Sequence, residues 1–219
     1  MRKNVIISSI KGFLTKIFLI TTCFLITACQ PPNTLEVYVF LDNTPSFEKY
    51  REAAKEYVIE LDRHLFPGLD KLSVYKFEGY HGITQIITPQ TNPVDLSNSL
   101  NIYVKSLPYK EEGTPYGEVF AKCAYLIKMA SNKNIVIVIL SDGFDEEIKN
   151  KKCCRNLSAG IIKDFSKTLG KLKSKVTIAT TFVEPMNLNK LEFLNTFNPI
   201  ISTSVESNAL RKLLEKIQR

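Results

Sequence analysis

The chain has 219 residues, enough for one domain with a substantial core and marginal for two. Its composition, 44% hydrophobic and 23% charged, is that of an ordinary globular protein and excludes a largely disordered or coiled-coil chain. The net charge of +7 is concentrated at the N-terminus. Arg2, Lys3, Lys11 and Lys16 lie within residues 1–28, which hold no acid, so the remainder carries only about +3 and offers no dense basic face for nucleic acid.

Residues 1–28 read as an export signal. A positive start precedes the apolar run Ile17 to Ala28, which is too short to span a bilayer comfortably. The run ends in Leu25-Ile26-Thr27-Ala28-Cys29, which resembles the bacterial lipobox. That resemblance implies cleavage before Cys29, a diacylglyceryl group on its sulfur, and further acylation that fixes the chain to a membrane. Gln30, Pro31, Pro32 and Asn33 form a short, stiff, polar tether within residues 29–34. Residue 30 is Gln and not Asp, which in a Gram-negative cell favours the outer membrane. The predicted location is the cell envelope, with a folded domain over residues 35–219.

Within that domain, Leu35 to Leu41 is a nearly continuous apolar run, as expected of a strand buried on both faces of a parallel sheet. A helical period follows in Phe47, Tyr50, Ala54, Tyr57, Val58, Leu61 and Leu65. Leu72 to Phe77 and Ile83 to Thr88, joined across Gly79 to Gly82, read as a hairpin at a sheet edge. A shorter helix is expected over Asp95 to Leu107, and another on Val119, Phe120, Cys123, Leu126, Ile127 and Ala130. Ile135 to Leu140 is a second buried-strand run. Ile161 to Leu169 and Leu210 to Ile217 carry helical periods, Val176 to Val183 and Ile200 to Val205 are weaker strands, and Leu188 to Phe197 suggests a short helix. Strands alternating with helices imply an α/β sandwich with helices on both faces of the sheet.

Open α/β sheets place their sites at the carboxyl ends of strands. Three polar clusters fall at such places or at a helix start: Asp42-Asn43-Thr44-Pro45-Ser46, Glu112-Gly113-Thr114-Pro115, and Ser141-Asp142-Gly143. Asp42, Thr44, Ser46, Thr114 and Asp142 together offer two carboxylates and three hydroxyls. Hard oxygens of this kind suit Mg²⁺, Mn²⁺ or Ca²⁺ and not zinc or copper. Taken singly, each cluster has a plainer role: Thr44 and Ser46 as helix caps, Thr114-Pro115 as a cap with a first-turn proline, Asp142-Gly143 as a turn.

Jointly they resemble the metal-ion-dependent adhesion site of von Willebrand factor A domains. The family's Asp-x-Ser-x-Ser is matched by Asp42-x-Thr44-x-Ser46, its threonine loop by Gly113-Thr114-Pro115, and its aspartate after a buried strand by Asp142. The resemblance implies a Rossmann-like von Willebrand factor A fold: a central, mostly parallel six-stranded sheet with one antiparallel edge strand and helices on both faces. It also implies that Thr44 and Ser46 bind the ion directly, Thr114 directly or through water, and Asp42 and Asp142 directly or through water. A protein partner's acidic side chain would then fill an open position, which describes a binding module and not an enzyme. Thr44 stands for a serine, Pro45 for a common glycine and Glu112 for the loop's first glycine; every liganding atom type is retained.

The rival reading is a metal-dependent phosphohydrolase of the haloacid dehalogenase type, whose first strand also ends in an aspartate. That chemistry needs a second acid two residues on, where this chain has Thr44. His64 is expected at the charged side of its helix and His81 in the Gly79–Gly82 turn. Cys123 lies on an apolar helical stripe, as a buried thiol would, while an oxidising compartment also permits its pairing with Cys153 or Cys154.

Overall fold

The computed structural model describes residues 34–79, 81–89, 91–107, 113–131, 134–143, 155–170, 175–188, 195, 199–203 and 208–217. In chain order these form β1 (Leu35–Asp42), a 3-10 turn (Glu48–Tyr50), α1 (Arg51–Arg63), β2 (Lys71–Glu78), β3 (Gly82–Ile87) and α2 (Pro93–Lys105). There follow α3 (Tyr116–Met129), β4 (Asn134–Leu140), α4 (Ala159–Gly170), β5 (Lys175–Val183), β6 (Ile200–Thr203) and α5 (Ala209–Ile217).

The six strands form one sheet in the order β3-β2-β1-β4-β5-β6. Every neighbouring pair is parallel except β2 and β3, whose hairpin makes β3 an antiparallel edge. The fold is thus the α/β architecture that the alternation of strands and helices predicts, with the Rossmann-like, mostly parallel six-stranded sheet and antiparallel edge strand that the resemblance implies.

Strand pleating sorts the apolar runs onto two faces. Val37, Val39, Leu41, Val136, Val138 and Leu140 pack beneath α1, α2 and α5, against Val58, Leu61, Leu100 and Leu213. Tyr38, Phe40, Ile135, Ile137 and Ile139 pack beneath α3 and α4, against Val119, Phe120, Cys123 and Phe165. Both faces are covered, which explains why β1 and β4 read as unbroken apolar runs rather than alternating ones.

Several boundaries move from those read in the sequence. The period beginning at Phe47 enters its helix only at Arg51, after the 3-10 turn. The helix expected from Asp95 starts at Pro93, because the Asn92 side chain accepts hydrogen bonds from Val94 N and Asp95 N and proline suits the first helical position. Most of the helix expected over Leu188 to Phe197 lies outside the described residues, as do residues 204 and 205; a 3-10 turn covers residues 185–188.

The strand order fixes where a site can form. From β1 the chain crosses to β2 on one side, and β4 later returns to the other side of β1. The order reverses at β1, so the loops after β1 and β4 diverge and leave a crevice at their carboxyl ends. In register, Leu41 lies opposite Leu140, which sets Asp42 beside Ser141 and one residue short of Asp142.

Candidate metal centre

Asp42 is the last residue of β1 and its side chain is fully buried. One carboxylate oxygen, Oδ1, accepts from the Thr44 amide at 2.8 Å and the Thr44 hydroxyl at 2.6 Å. The other, Oδ2, accepts from the Ser141 hydroxyl at 2.5 Å. The Thr44 and Ser46 hydroxyl oxygens are 3.2 Å apart, with Thr44 buried and Ser46 exposed. The first motif is therefore one local cluster whose outer member faces solvent. Neither the 3-10 turn nor α1 has a side-chain cap, so the capping role for Thr44 and Ser46 does not apply.

Ser141 ties the second and third elements to the first. It receives a hydrogen bond from Tyr116 Oη at 2.5 Å and another from the Gly143 amide at 3.2 Å, while donating to Asp42. Asp142, nearly buried, accepts at its backbone carbonyl from Glu184 N at 2.9 Å and Asn187 Nδ2 at 3.0 Å. Gly143 follows at φ 78°, a conformation glycine adopts without steric cost.

Thr114 lies two residues before Tyr116, with its carbonyl accepting from the Tyr116 amide at 3.0 Å. Its side chain is 0% exposed, and Oγ1 has no hydrogen-bond partner among the described residues. It does not cap α3, whose N-cap is Pro115 without a side-chain bond. Leaving a buried hydroxyl unsatisfied costs about 1–3 kcal/mol. Gly117 sits in the next turn, where a Cβ would come 2.1 Å from the Asn156 carbonyl oxygen; only glycine lets that segment pack here.

The electrostatics agree with an incomplete site. Burial pushes the Asp42 carboxyl up to about 7; Ser141 and Thr44 oppose that rise by hydrogen bonding to the anion, and the Asp142 charge adds to it. Two acids thus stand close enough at one crevice for the charge of one to disfavour that of the other. A hard cation would offset both charges and give the Thr114 hydroxyl a partner, so the residues present fit such an ion. Among the described residues no group of three or more His, Cys, Asp or Glu side chains could hold a metal. An ion here would depend on hydroxyls, which favours Mg²⁺, Mn²⁺ or Ca²⁺.

Asp42, Thr44 and Ser46 are joined directly, Asp142 lies one residue beyond the position opposite Asp42 on the neighbouring strand, and Thr114 is linked to them only through the backbone of Tyr116, whose hydroxyl reaches Ser141. Sequence reasoning did not single out Ser141, Tyr116, Tyr103, Arg51 or Asn43. Tyr103 Oη donates to the Asp42 carbonyl at 2.6 Å. Arg51, almost fully buried, donates to the Asn43 carbonyl at 3.1 Å and to the Ser106 carbonyl, and stands 5.7 Å over the Tyr103 ring. One signal was available for it: residue 51 falls on the apolar stripe of Phe47, Ala54, Val58 and Leu61, where a charge is informative.

Asn43 is held from the other side. Its Nδ2 donates to buried Glu78 at 2.5 Å, and Glu78 also meets His81 Nδ1 at 2.6 Å. His81, read as a turn residue, thus braces the site loop through one acid. His64 is half exposed and pairs with Glu60 at 3.3 Å, as a surface residue would. Cys123 is buried, and burial pushes its thiol well above the usual range. Cys29, Cys153 and Cys154 lie outside the described residues, and the pairing considered for Cys123 lies there with them.

The fold has counterparts among solved structures. The pilus adhesin SpaC of Lactobacillus rhamnosus GG, in its open conformation, superposes with a TM-score of 0.58 at 10% identity, over 85% of this chain and 30% of that one. A mutant of the PilB minor pilin of Streptococcus sanguinis gives 0.56 at 10% identity, over 86% and 61%. This chain spans less than two thirds of either pilus protein. An aerotolerance-related membrane protein of Bacteroides fragilis NCTC 9343, carrying multiple mutations to serine, gives 0.57 at 17% identity, over 83% and 97%. At these identities the likeness is one of fold. No family model and no curated protein matches the sequence.

Proposed function

We propose that this protein is a binding module of the von Willebrand factor A type, tethered to the cell envelope by a lipid on Cys29, that captures a protein partner through a divalent cation. The observation that carries the reading is the Thr114 hydroxyl, buried and without a partner among the described residues, in the loop that leads to Tyr116, whose own hydroxyl bonds the serine that holds the Asp42 carboxyl. Thr44, Ser46, Thr114, Asp42 and Asp142 would hold the ion, Mg²⁺ in the first instance. With only two carboxylates in the set, a bound divalent ion supplies an electropositive open position, and a partner's aspartate or glutamate suits it. Ser46 is the exposed member of the set and marks the side from which a partner would approach. Among the described residues no helix is long and apolar enough to cross a membrane.

Metal titration followed by thermal unfolding tests the site. A ligand that binds only the folded state adds RT ln(1 + [L]/Kd), roughly 2.7 kcal/mol at a hundredfold excess over Kd. Mg²⁺ should raise the melting temperature and chelator should reverse the rise. Asp142→Ala should abolish the rise and also partner capture from envelope extract. Asp164→Ala, an exposed acid on α4, should change neither. Capture that survives chelator equally in wild type and Asp142→Ala would end the metal-bridge reading.

A further inference from the structure

The amino edge of the sheet, opposite the metal site, carries exposed apolar side chains beside the point where the chain enters β1. Asp70 organises this edge. Its Oδ1 accepts from the Leu35 amide and its Oδ2 from the Phe66 amide, both at 2.8 Å. One carboxylate thus holds the first residue of β1 and the turn that precedes β2. Within the turn, the Leu69 and Asp70 amides both donate to the Phe66 carbonyl, at 3.1 and 3.0 Å. The turn is closed by these hydrogen bonds, yet Phe66 is 54% exposed and Leu69 45%. Large apolar groups held side by side in water mark a contact surface more often than chance.

Basic residues lie on the adjoining elements. Arg63 and His64 come from the end of α1 and Arg211 from α5; His64, Arg211 and Glu215 line one shallow hollow with Phe66 and Leu35. Arg63 and Arg211 are largely exposed, each within 4 Å of an acid on its own helix. Long basic side chains around an apolar tip suit the boundary between headgroups and acyl chains, where the stem lies in the apolar layer and the charge meets phosphate.

The chain itself indicates what covers this surface. Only residues 30–34 separate Cys29 from Leu35. An extended chain covers at most about 3.6 Å per residue, so a lipid on Cys29 can stand no farther than roughly 20 Å from the amino edge. The metal-site loops begin at the far end of β1, about 26 Å away for eight residues at strand rise.

We infer that Phe66 and Leu69 dip into the interfacial layer of the membrane that holds the Cys29 lipid, so that the amino edge lies on the bilayer and the metal site faces away from it. The occupant is a phospholipid surface. The inference rests on the lipid-anchor reading. The lipid fixes distance alone; the turn adds orientation, presenting the carboxyl edge to partners in the aqueous space.

The chain contains no tryptophan, so a single introduced one is an unambiguous reporter. Full-length lipoprotein carrying Leu69→Trp, Phe66→Trp or Met186→Trp is reconstituted into vesicles of phosphatidylethanolamine and phosphatidylglycerol, with or without brominated acyl chains. Met186, beyond the carboxyl end of β5, is exposed and serves as the distal control. Leu69→Trp and Phe66→Trp should show blue-shifted emission and lose most of their intensity to brominated lipid, and Met186→Trp should show neither. Two reporter positions keep the test decisive if one variant misfolds. Unquenched emission at both, on vesicle-bound protein, overturns the inference. So does a blue shift that grows with protein concentration and ignores bromine, since a second copy would then cover the turn. Mass spectrometry of Cys29 separates the two levels. Lipid present with unquenched tryptophan removes the orientation and leaves the anchor; a bare Cys29 removes both.

Discussion

The interior of the sheet and its carboxyl edge are equally buried and oppositely finished. Phe40 and Asp42 are two residues apart on one strand, and neither exposes any surface. Phe40 is complete: it stacks on Tyr75 with ring centroids 5.3 Å apart and packs among the apolar side chains under α3. Asp42 is not: its carboxylate accepts three hydrogen bonds, and burial with the neighbouring Asp142 still disfavours its charge. Thr114, two residues before Tyr116, has a buried hydroxyl with no partner among the described residues. Burial alone does not distinguish a core from a site. What distinguishes them is whether the buried groups satisfy one another, and at the carboxyl edge the described residues leave the Asp42 charge disfavoured and the Thr114 hydroxyl unbonded.

The largest effect expected from this contrast is in the interior. Phe40→Ala should cost about 5 kcal/mol, the upper end for a buried aromatic, through lost transfer energy and a cavity that the flanking strands cannot close. Denaturant unfolding should show that loss to be the same in Mg²⁺ and in chelator, because the core is finished without the ion. A loss that shrank on adding Mg²⁺ would mean the two regions are energetically one.

The second expectation concerns pH in metal-free protein. Asp42 titrates near 7 in the fold, against an ordinary value of 3.8. Between those values the native state holds a proton that the unfolded chain has released, so stability falls as pH rises. The contribution is fully present below about 4 and lost above about 7, a total on the order of 4 kcal/mol. Unfolding in chelator at a series of pH values should show this decline, and Asp42→Asn should flatten it. Since the ion needs the carboxylate, its affinity should in turn weaken about tenfold per pH unit below 7.

Much of this contrast was legible in the sequence, for physical reasons that also set its limits. β1 and β4 could be read directly because strands covered on both faces must be apolar at every position. Asp42, Thr44, Ser46, Thr114 and Asp142 could be singled out because their polar clusters follow a strand or open a helix and jointly resemble one known metal-site pattern. Ser141 looked like a flanking letter of its motif. Its bond to Asp42 exists only because β4 lies beside β1, a pairing of residues 99 apart in sequence. The Arg51 clamp and the brace from His81 through Glu78 to Asn43 depend likewise on which elements become neighbours. Local pattern shows which groups could hold an ion; strand order shows which groups hold those groups.

The smallest expected effect is the most discriminating, because its sign should invert. Valine is close to threonine in shape and replaces the hydroxyl with a methyl group. At a site where the hydroxyl is hydrogen-bonded, Thr→Val loses that bond and destabilises. The Thr114 hydroxyl is buried and unbonded in the metal-free fold, so Thr114→Val removes an uncompensated desolvation cost and should stabilise the protein by about 1 kcal/mol in chelator. In saturating Mg²⁺ the same variant lacks one ligand oxygen. It should gain less from the ion than wild type and become the less stable of the two. Ser97→Val, a half-buried hydroxyl on α2, tests whether a generic gain in apolar surface produces the same pattern; it should respond identically with and without Mg²⁺. If Thr114→Val destabilises the chelated protein and leaves the Mg²⁺ response intact, then the hydroxyl serves the fold and not an ion, and the carboxyl edge is finished in the same sense as the core.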